Sequence, residues 1–439
     1  MSEESWKRQE ITPIGLTTWR SEYKPFGIKD NDRLGHIYAI GKTGTGKSTL
    51  LENMAISDII RGNGLCVIDP HGDLASNILN YIPESRIKDV IYFNPVDKEY
   101  PIAFNPLSGI HPNHHHLVAS GLISTFKKIW ADSWGPRMEY ILRFALLTLL
   151  ENRKCSLLDI QPLLTDQTFR NSILSRSISP YILSFWHNEF DKYPPSLKSE
   201  AIAPILNKVG LFLASTPLRN IVGQNSRGFN LQEVMNNGKI LIVNLSKGEL
   251  GEDVTAILGN MIVTNIQLAA LYRARQPEHT RKPFYLYVDE MHSFVSLSFA
   301  DILAEARKYR LSIFLSHQYI EQLHEKIRAA IFGNVGTLIS FRIGATDAEY
   351  LEKEFKPVFD QYDLIQLPKY NMYLKLMIDG ATSQPFSAET KPISFLPQKN
   401  ISQVITFSQE RYGSERKRVE ETILAKYKSN EGRQDQKLF

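Results

Sequence analysis

Hydrophobic and polar residues follow three successive patterns along the chain. Up to about His111, short apolar runs alternate with Lys47–Arg61, whose apolar residues recur at helical spacing. The runs predicted as strands are His36–Ile40, Leu65–Ile68, Val90–Phe93 and Ile102–Phe104. Such alternation of strands and helices predicts a mostly parallel sheet covered by helices, and therefore the α/β fold class.

The middle of the chain has a different pattern. From about Pro112 to Asn236 the apolar residues recur at helical spacing, and prolines interrupt the pattern repeatedly. Little strand character is visible in this stretch. The region is therefore predicted to be an all-α domain inserted into the α/β core.

The α/β pattern returns after the insert. The strands predicted there are Lys239–Asn244, Phe284–Val288, Leu311–Leu315, Thr337–Arg342 and Tyr373–Ile378, and the helices are Asp253–Tyr272 and Phe299–Tyr309. After about Pro397 the chain becomes charged and predicts one helix, Gly413–Tyr427. The predicted domains are thus an α/β core made of residues 1–111 and 237–397, an insert at 112–236 and a tail at 398–439.

Composition is that of an ordinary globular protein. Of the 439 residues, 43% are hydrophobic and 22% are charged. Cys66 and Cys155 are the only cysteines, which excludes a disulfide framework and indicates a reducing compartment. No run reaches the ~18 apolar residues of a spanning helix, and the first residues, MSEESWKRQE, lack the apolar part of a secretory signal. We expect a cytoplasmic protein that is not inserted in a membrane.

Net charge does not identify a partner. Lys and Arg total 51 and Asp and Glu total 47, a formal net charge of +4. A strongly basic domain would indicate a polyanion partner. The small surplus is compatible with DNA binding but does not argue for it.

A phosphate-binding loop is the strongest chemical signal. Residues 41–48 read GKTGTGKS, which matches G-x-x-x-x-G-K-[ST], and the match lies between a predicted strand and a predicted helix. Backbone N–H groups of such a loop wrap phosphates, and the helix N-terminus adds partial positive charge. Lys47 is expected to reach the β- and γ-phosphates and Ser48 to ligate Mg²⁺. The predicted nucleotide-binding residues are Gly41, Lys42, Thr43, Gly44, Thr45, Gly46, Lys47, Ser48 and Thr49.

A second half of the site is predicted far downstream. The strand Phe284–Val288 ends in Asp289 and Glu290. In P-loop ATPases an acid at this strand end holds Mg²⁺, and a following glutamate can orient and deprotonate the attacking water. We assign Asp289 to the metal and Glu290 to the water, a pairing that favours ATP hydrolysis over nucleotide sensing alone.

Three further polar positions follow. Gln318 comes after the strand Leu311–Leu315, where it would either sense the γ-phosphate or lie in a surface loop. Arg307 and Arg310 lie on the preceding helix. One of them could act on a neighbouring subunit's nucleotide, although a solvated helix face explains both from the sequence alone.

Two other groups have structural explanations. Asp69, His71 and Asp73 follow the second strand, where they would line the site or, as we favour, turn the chain and cap the next helix. Trp130 and Trp134 lie near Lys127 and Lys128 and could stack bases, but core packing is favoured.

The order of these motifs resembles a known family. The loop GKTGTGKSTLLENM is followed by VIDPHGDL, VIYFNP, YLYVDEMHSF, ILAEARKYRLSIFLSHQYIEQL and ISFRIGATDAEYLEKEF. This succession is similar to the HerA–FtsK superfamily of P-loop pumps, in particular to soluble conjugative DNA-transfer ATPases related to type IV secretion coupling proteins. The resemblance covers roughly residues 25–415.

The resemblance implies a RecA-like ATPase core with an inserted all-α domain, which uses ATP and Mg²⁺, forms a homohexameric ring and pumps DNA. It implies catalytic roles for Lys47, Glu290 and Gln318, and it makes Arg307 the better match for the arginine acting in trans. It also suggests a secretion or transfer apparatus as a partner.

The chain departs from the family in two places. Membrane-bound coupling proteins carry N-terminal spanning helices, which the 40 residues before Gly41 do not show. Many relatives have glutamine where this chain has His292, so a special role for that glutamine is not carried over.

Two other functions compete with the DNA pump. The ATPase could move or assemble polypeptides without touching DNA, or the chain could be a nucleotide-gated ring scaffold. Glu290 argues against the scaffold. The sequence does not distinguish single-stranded from double-stranded DNA.

Overall fold

The computed structural model describes residues 10–18, 20, 23–152, 154–225, 228–295, 297 and 299–435, with side chains of the last helix as far as Lys426. The chain forms two compact units. The core unit contains residues 1–93, 231–247 and 269–408, and the helical unit contains residues 94–230, 248–268 and 409–439. Each unit is therefore assembled from stretches that are far apart in the sequence.

The core unit is built on one sheet of eleven strands. The strands of the described residues are β1 Ile11–Thr17, β2 Pro25–Lys29, β3 Ile37–Ile40, β4 Gly64–Asp69, β5 Val90–Phe93, β6 Ile240–Asn244, β7 Phe284–Val288, β8 Leu311–His317, β9 Thr337–Ser340, β10 Asn371–Lys375, β11 Met377–Ile378, β12 Ala381–Thr382 and β13 Phe386–Glu389. The order in the large sheet is β2-β1-β13-β10-β9-β3-β8-β7-β4-β6-β5, and β11 and β12 form a separate ribbon.

The part of the sheet from β9 to β5 is parallel, and the part from β2 to β10 is antiparallel. β3, β4, β6, β7, β8 and β9 are buried at every position. Continuous burial is typical of parallel strands that are covered on both faces. The predicted α/β class with a mostly parallel sheet is confirmed.

Helices surround this sheet. In the core unit they are Asp30–Arg33, Lys47–Ile60, Asp73–Leu79, Leu231–Asn236, Phe299–Glu305, Glu325–Asn334, Ala345–Phe355, Gln361–Gln366 and Ile401–Tyr412 as far as Ser408. A single turn, Lys247–Leu250, follows β6. The predicted helix Phe299–Tyr309 ends as an α-helix at Glu305 and continues as a 3₁₀ turn, Ala306–Tyr309.

A buried ion pair joins three elements of the core unit. Arg33, which is 1% exposed, donates to both carboxylate oxygens of Asp58 at 2.8 Å and to the Tyr287 hydroxyl at 2.7 Å. Its guanidinium also lies 3.8 Å from the centroid of the Tyr285 ring. Asp58 belongs to the helix Lys47–Ile60 and the tyrosines to β7. Removing one partner of such a pair typically costs about 3–5 kcal/mol, so this network ties the helix to the strand.

The helical unit has no strand among its described residues. Its helices are His115–Ile129, Pro136–Leu150, Ile160–Thr165, Gln167–Leu174, Pro180–Ser184, Pro195–Ala214, Thr216–Val222, Glu252–Tyr272 as far as Leu268, and Arg416–Asp435. Trp186 is fully buried, and its Nε1 donates to the Thr148 hydroxyl at 2.8 Å. Phe144 and Phe185 stack with ring centroids 4.1 Å apart. Aromatic packing of this kind supplies much of the stabilisation of a helical core.

The strand predicted at Ile102–Phe104 is wrong. Ile102 makes one isolated bridge, to Gly413, and the N–H of Phe104 donates to the carbonyl of Ile221 at the end of a helix. The apolar run is buried because it packs within the helical unit. A short apolar run that is buried among helices therefore has the sequence pattern of a buried strand, although no strand of the described residues lies beside it.

The tail contains two helices where one is predicted. Ile401–Tyr412 precedes Arg416–Asp435, and Val404 in the first of these belongs to the hydrophobic core of the core unit. Gly413 lies at the break, where a Cβ would come within 2.7 Å of the Gln409 carbonyl oxygen. The close approach favours glycine at this position, and the helix predicted as Gly413–Tyr427 begins at Arg416 instead.

One helix of the described residues, Glu252–Arg275 with its 3₁₀ end, is long and apolar enough to cross a membrane. The bent pair Pro195–Ala214 and Thr216–Val222 passes the same test when the two are joined. The most apolar 18-residue window of the first is 78% buried within the protein, as in the core helix of a globular domain.

Candidate nucleotide site

The loop between β3 and the helix Lys47–Ile60 has the backbone that phosphate binding needs. Gly44 has φ of 74° and Gly46 has φ of 128°, values that residues with a side chain rarely adopt. A Cβ at Gly46 would lie 3.0 Å from the Phe341 ring and 3.2 Å from the Tyr370 ring. The second glycine is thus required by close packing as well as by conformation.

Neighbouring strands hold this loop in place. The N–H of Gly41 donates to the carbonyl of His317 at the end of β8, at 3.2 Å. The N–H of Lys42 donates to the carbonyl of Arg342, just after β9, at 2.8 Å. The loop is therefore fixed from both sides of β3.

Lys47 is the first residue of the helix and is 5% exposed. Its Nζ donates to the carbonyl oxygens of Gly41 at 2.6 Å and Lys42 at 3.1 Å. Burial lowers the pKa of Lys47, and the charges of Glu290 and Asp289 oppose that shift. The ammonium group thus lies inside the loop and within electrostatic range of the downstream acids.

The sheet brings those acids to the loop. β3, β8, β7 and β4 are adjacent and parallel, so their carboxyl ends lie at one edge. Asp289 and Glu290 follow β7 and are 5% and 6% exposed. Glu290 has φ of 45°, a left-handed conformation that is unusual for glutamate and typical of functional sites.

Gln318 completes this group from the end of β8. Its Nε2 donates to Glu290 Oε1 at 2.7 Å. Burial raises the pKa of Glu290 and the hydrogen bond from Gln318 opposes the shift. Of the two interpretations of Gln318, a surface loop or a residue of the site, the structure places it beside the glutamate.

Two histidines, His292 and His317, lie close to each other, the first of them beside Glu290, and the sequence did not indicate this. His292 Nδ1 lies 3.5 Å from Glu290 Oε2, and the rings of His292 and His317 are 5.4 Å apart. His317 is fully buried, and burial lowers its pKa to about 3, so its ring is neutral. The end of the strand β8 was a sequence signal for Gln318, but nothing in the sequence indicated that His292 would lie beside Glu290 and His317.

Asp69 is a structural residue. It is fully buried at the end of β4, where its carboxylate accepts from the N–H of His71 at 2.8 Å and from the N–H of Ala75 at 2.9 Å. These bonds turn the chain and cap the helix Asp73–Leu79, which is the interpretation favoured from the sequence.

Trp130 and Trp134 also have packing partners. The Trp130 ring lies 5.3 Å from that of Phe126, and Trp134 Nε1 donates to Glu139 Oε2 at 2.8 Å. Both indoles are half-buried. Core packing, the favoured interpretation, fits the contact of Trp130 with Phe126, whereas Trp134 is held by its hydrogen bond to Glu139.

Arg307 and Arg310 lie at the other edge of the sheet. Arg307 is exposed in the 3₁₀ turn before β8, and Arg310 directly precedes β8. The seven residues of β8 separate them from Gln318, which is about 20 Å at the rise of a strand. An arginine side chain does not span that distance, so neither residue reaches the site of its own chain.

Comparison with known proteins identifies the family. A family model described as the type IV secretion-system coupling protein DNA-binding domain matches residues 25–355. The chain belongs to this family. The resemblance noted in the sequence is thereby confirmed, and the match includes every candidate residue from Gly41 to Gln318.

Solved structures of TrwB and VirB4 have a similar fold. The bacterial conjugative coupling protein TrwBΔN70, in an unbound form, is 17% identical over 91% of this chain and 94% of its own, with a TM-score of 0.60. TrwB in complex with a non-hydrolysable ATP analogue is 18% identical over 91% and 95%, with a TM-score of 0.61. VirB4 of Thermoanaerobacter pseudethanolicus is 13% identical over 87% and 96%, with a TM-score of 0.55. A comparison with curated protein sequences finds no match.

Proposed function

We propose that this coupling-protein family member is an ATP-hydrolysing DNA translocase that works as a homohexamer in conjugative transfer or type IV secretion. The observation that carries the proposal is the meeting of Lys47, Asp289, Glu290 and Gln318 at one edge of the sheet. That set of groups is what hydrolysis of a nucleoside triphosphate requires. Membership of the family is the reason for proposing DNA as the polymer that is moved and a transfer apparatus as the partner.

The loop fits the phosphates of ATP. At Gly44 no heavy atom lies within 4 Å of the position that a Cβ would take, so the backbone is open to a ligand there. The helix begins at Lys47, so its N-terminus adds partial positive charge close to the Lys47 ammonium group. A triphosphate would replace the carbonyl contacts of that ammonium with stronger, charge-assisted ones.

Ser48 and Asp289 fit Mg²⁺. Their hydroxyl and carboxylate oxygens are the ligand type that this ion prefers, and Mg²⁺ commonly takes one or two protein ligands together with substrate phosphates. Among the described residues there is no group of three or more His, Cys, Asp or Glu side chains that could hold a metal by themselves. When bound, the ion supplies positive charge to the β- and γ-phosphate oxygens.

Glu290 activates the water and Gln318 orients Glu290. The 2.7 Å bond from the Gln318 amide fixes Oε1, which leaves the second carboxylate oxygen to accept a proton from water. The raised pKa of Glu290 makes that carboxylate a better proton acceptor. A Gln318 amide that also reached the γ-phosphate of bound ATP would respond to hydrolysis.

Arg307 acts on the nucleotide of a neighbouring subunit. Its exposed position at the opposite edge of the sheet excludes action in its own site but suits a subunit boundary. A positive charge delivered there stabilises the transition state, as arginine fingers do. Arg310 is the second candidate for the same role.

The ATPase assignment is tested with Lys47→Ala. The substitution removes the charge that stabilises the transferring phosphoryl group, so steady-state ATP hydrolysis should fall by ~100-fold or more. Lys326→Ala, which removes an exposed lysine on the helix Glu325–Asn334, is the matched control and should hydrolyse ATP like the wild type. Retained turnover in Lys47→Ala would contradict the proposed site.

A further inference from the structure

The roles proposed above concern the phosphates, the metal ion and the attacking water, and they leave the nucleoside part of a nucleotide without an assigned residue. The groups that meet the γ-phosphate come from β7 and β8, which lie on one side of β3. β9 and β10 lie on the other side. A triphosphate whose γ end lies between Lys47 and Glu290 therefore directs its nucleoside towards the β9–β10 side of the loop.

Tyr370 lies on that side, immediately before β10. Its N–H donates to the carbonyl of Thr45 in the phosphate-binding loop at 2.8 Å, and its own carbonyl accepts from the N–H of Thr390 at 2.9 Å. A Cβ at Gly46 would be 3.2 Å from Tyr370 Cδ1. The backbone of Tyr370 is thus held between the loop and the end of β13, and its ring lies against the loop.

The conformation of Tyr370 is unusual in two respects. Its φ is 69°, a left-handed value that bulky side chains rarely adopt, and 41% of the residue is exposed although it contacts a buried glycine. Residues held in such conformations concentrate at ligand sites, where the surrounding structure imposes the geometry. Here the two backbone hydrogen bonds impose it, and the result is an exposed aromatic ring beside the phosphates.

We propose that the Tyr370 ring stacks on the base of the bound nucleotide. The proposal rests on the nucleotide-binding function proposed above. Lys369 Nζ lies 4.8 Å from the ring centroid, which adds positive charge on this side of the loop. Every base has a flat π-face, so stacking on Tyr370 favours nucleotides over inorganic polyphosphate without selecting among bases.

The experiment distinguishes the contribution of the Tyr370 ring to binding from that of its backbone. Tyr370→Asn deletes the ring but keeps a residue that tolerates the left-handed conformation, and Tyr370→Phe keeps the ring. Dissociation constants are measured by calorimetry for ADP, GDP and inorganic tripolyphosphate. Tyr362→Ala, which removes a tyrosine that is 74% exposed on the helix Gln361–Gln366, is the matched control.

If the Tyr370 ring stacks on the base, its removal should weaken the binding of nucleotides but not of tripolyphosphate. Tyr370→Asn should weaken ADP and GDP binding by about tenfold, since a base–aromatic stack is worth that much or more, and should leave tripolyphosphate binding unchanged. Tyr370→Phe and Tyr362→Ala should match the wild type.

Two results would overturn the stacking proposal while leaving the nucleotide site in place. One is an equal loss of ADP and tripolyphosphate in Tyr370→Asn, because the residue would then act through the loop. The other is unchanged ADP binding in that variant. A wild-type protein that binds neither ADP nor tripolyphosphate would overturn the proposed function, and the stacking with it.

Discussion

Lys47 and Glu290 are both more than nine-tenths buried, and burial moves their pKa values in opposite directions. Desolvation favours the neutral form of each, and each charge partly restores the ionised form of the other. The ammonium group and the carboxylate are therefore already out of water before a substrate binds. Neither group has to be desolvated during the reaction itself. The chemistry of single residues here depends on their neighbours.

Gln318 offers a test at this scale. Gln318→Ala removes the hydrogen bond that fixes Glu290 Oε1, so the carboxylate should lose its orientation while the phosphate-binding loop stays intact. We expect kcat for ATP hydrolysis to fall by ~100-fold with little change in KM. Steady-state kinetics check this against Gln384→Ala, a control at an exposed glutamine. An unchanged kcat in Gln318→Ala would show that Glu290 needs no orienting partner.

Site residues could be predicted from the sequence where a short motif of neighbouring residues identifies them. The loop at residues 41–48 and the acids after β7 are short motifs, so their places at the ends of β3 and β7 could be predicted from the sequence. His292 and His317 come together across two strands, a relation that no spacing in the sequence encodes. The two interpretations of Asp69 were separated only by its hydrogen bonds at the end of β4. For Arg307 and Arg310 the structure excludes action in their own site, and their action in trans stays a prediction.

At the scale of elements, the parallel strands were predicted well, whereas β1, β2 and β13 of the antiparallel part were missed. β3 begins at Ile37 and not at His36, because His36 has φ of 64° and cannot extend the strand. β1, β2 and β13 lie in the antiparallel part of the sheet, and their burial is mixed. β1 also contains Pro13 and Gly15, which weaken the sequence signal of a strand.

The helix Lys47–Ile60 carries a second buried acid, which predicts a dependence of stability on pH. Glu52 is 8% exposed, and burial raises its pKa to about 7. Its pKa in the unfolded chain is about 4.3. Between these values the folded protein binds more protons than the unfolded chain, so the contribution of Glu52 to stability falls as pH rises through this window.

Glu52→Gln removes that dependence. The variant should be more stable than the wild type at pH 8, where folding buries a charge in the wild type, and the difference should shrink by pH 5. Urea denaturation at the two pH values measures it, with Glu349→Gln as a control at an exposed glutamate. A stability difference that does not change between pH 5 and pH 8 would exclude the charge of Glu52 as its cause.

At the scale of the whole molecule, Arg307 can contribute to ATP hydrolysis only if subunits assemble, because it does not reach the site of its own chain. Neither Arg307→Ala nor Glu290→Gln should hydrolyse ATP well by itself. Mixed in one ring, an Arg307→Ala subunit supplies an intact Glu290 and its Glu290→Gln neighbour supplies an intact Arg307. We therefore expect the mixture to recover part of the wild-type rate, with a maximum at intermediate ratios.

The control for this mixture is Lys308→Ala, which removes the exposed neighbour of Arg307 and should be active alone. Arg310→Ala, mixed in the same way, shows which arginine acts. If no ratio of Arg307→Ala to Glu290→Gln recovers activity although mixed oligomers form, Arg307 does not act in trans.

The measurement that tests the central claim most directly is steady-state ATP hydrolysis with and without single-stranded and double-stranded DNA, at two salt concentrations, for the wild type and Lys47→Ala. A DNA translocase should hydrolyse ATP faster when DNA is present, the stimulation should weaken at the higher salt because phosphate contacts do, and Lys47→Ala should stay inactive throughout. Hydrolysis that depends on Lys47 but ignores both forms of DNA at both salt concentrations would contradict the claim and would favour a polypeptide as the cargo.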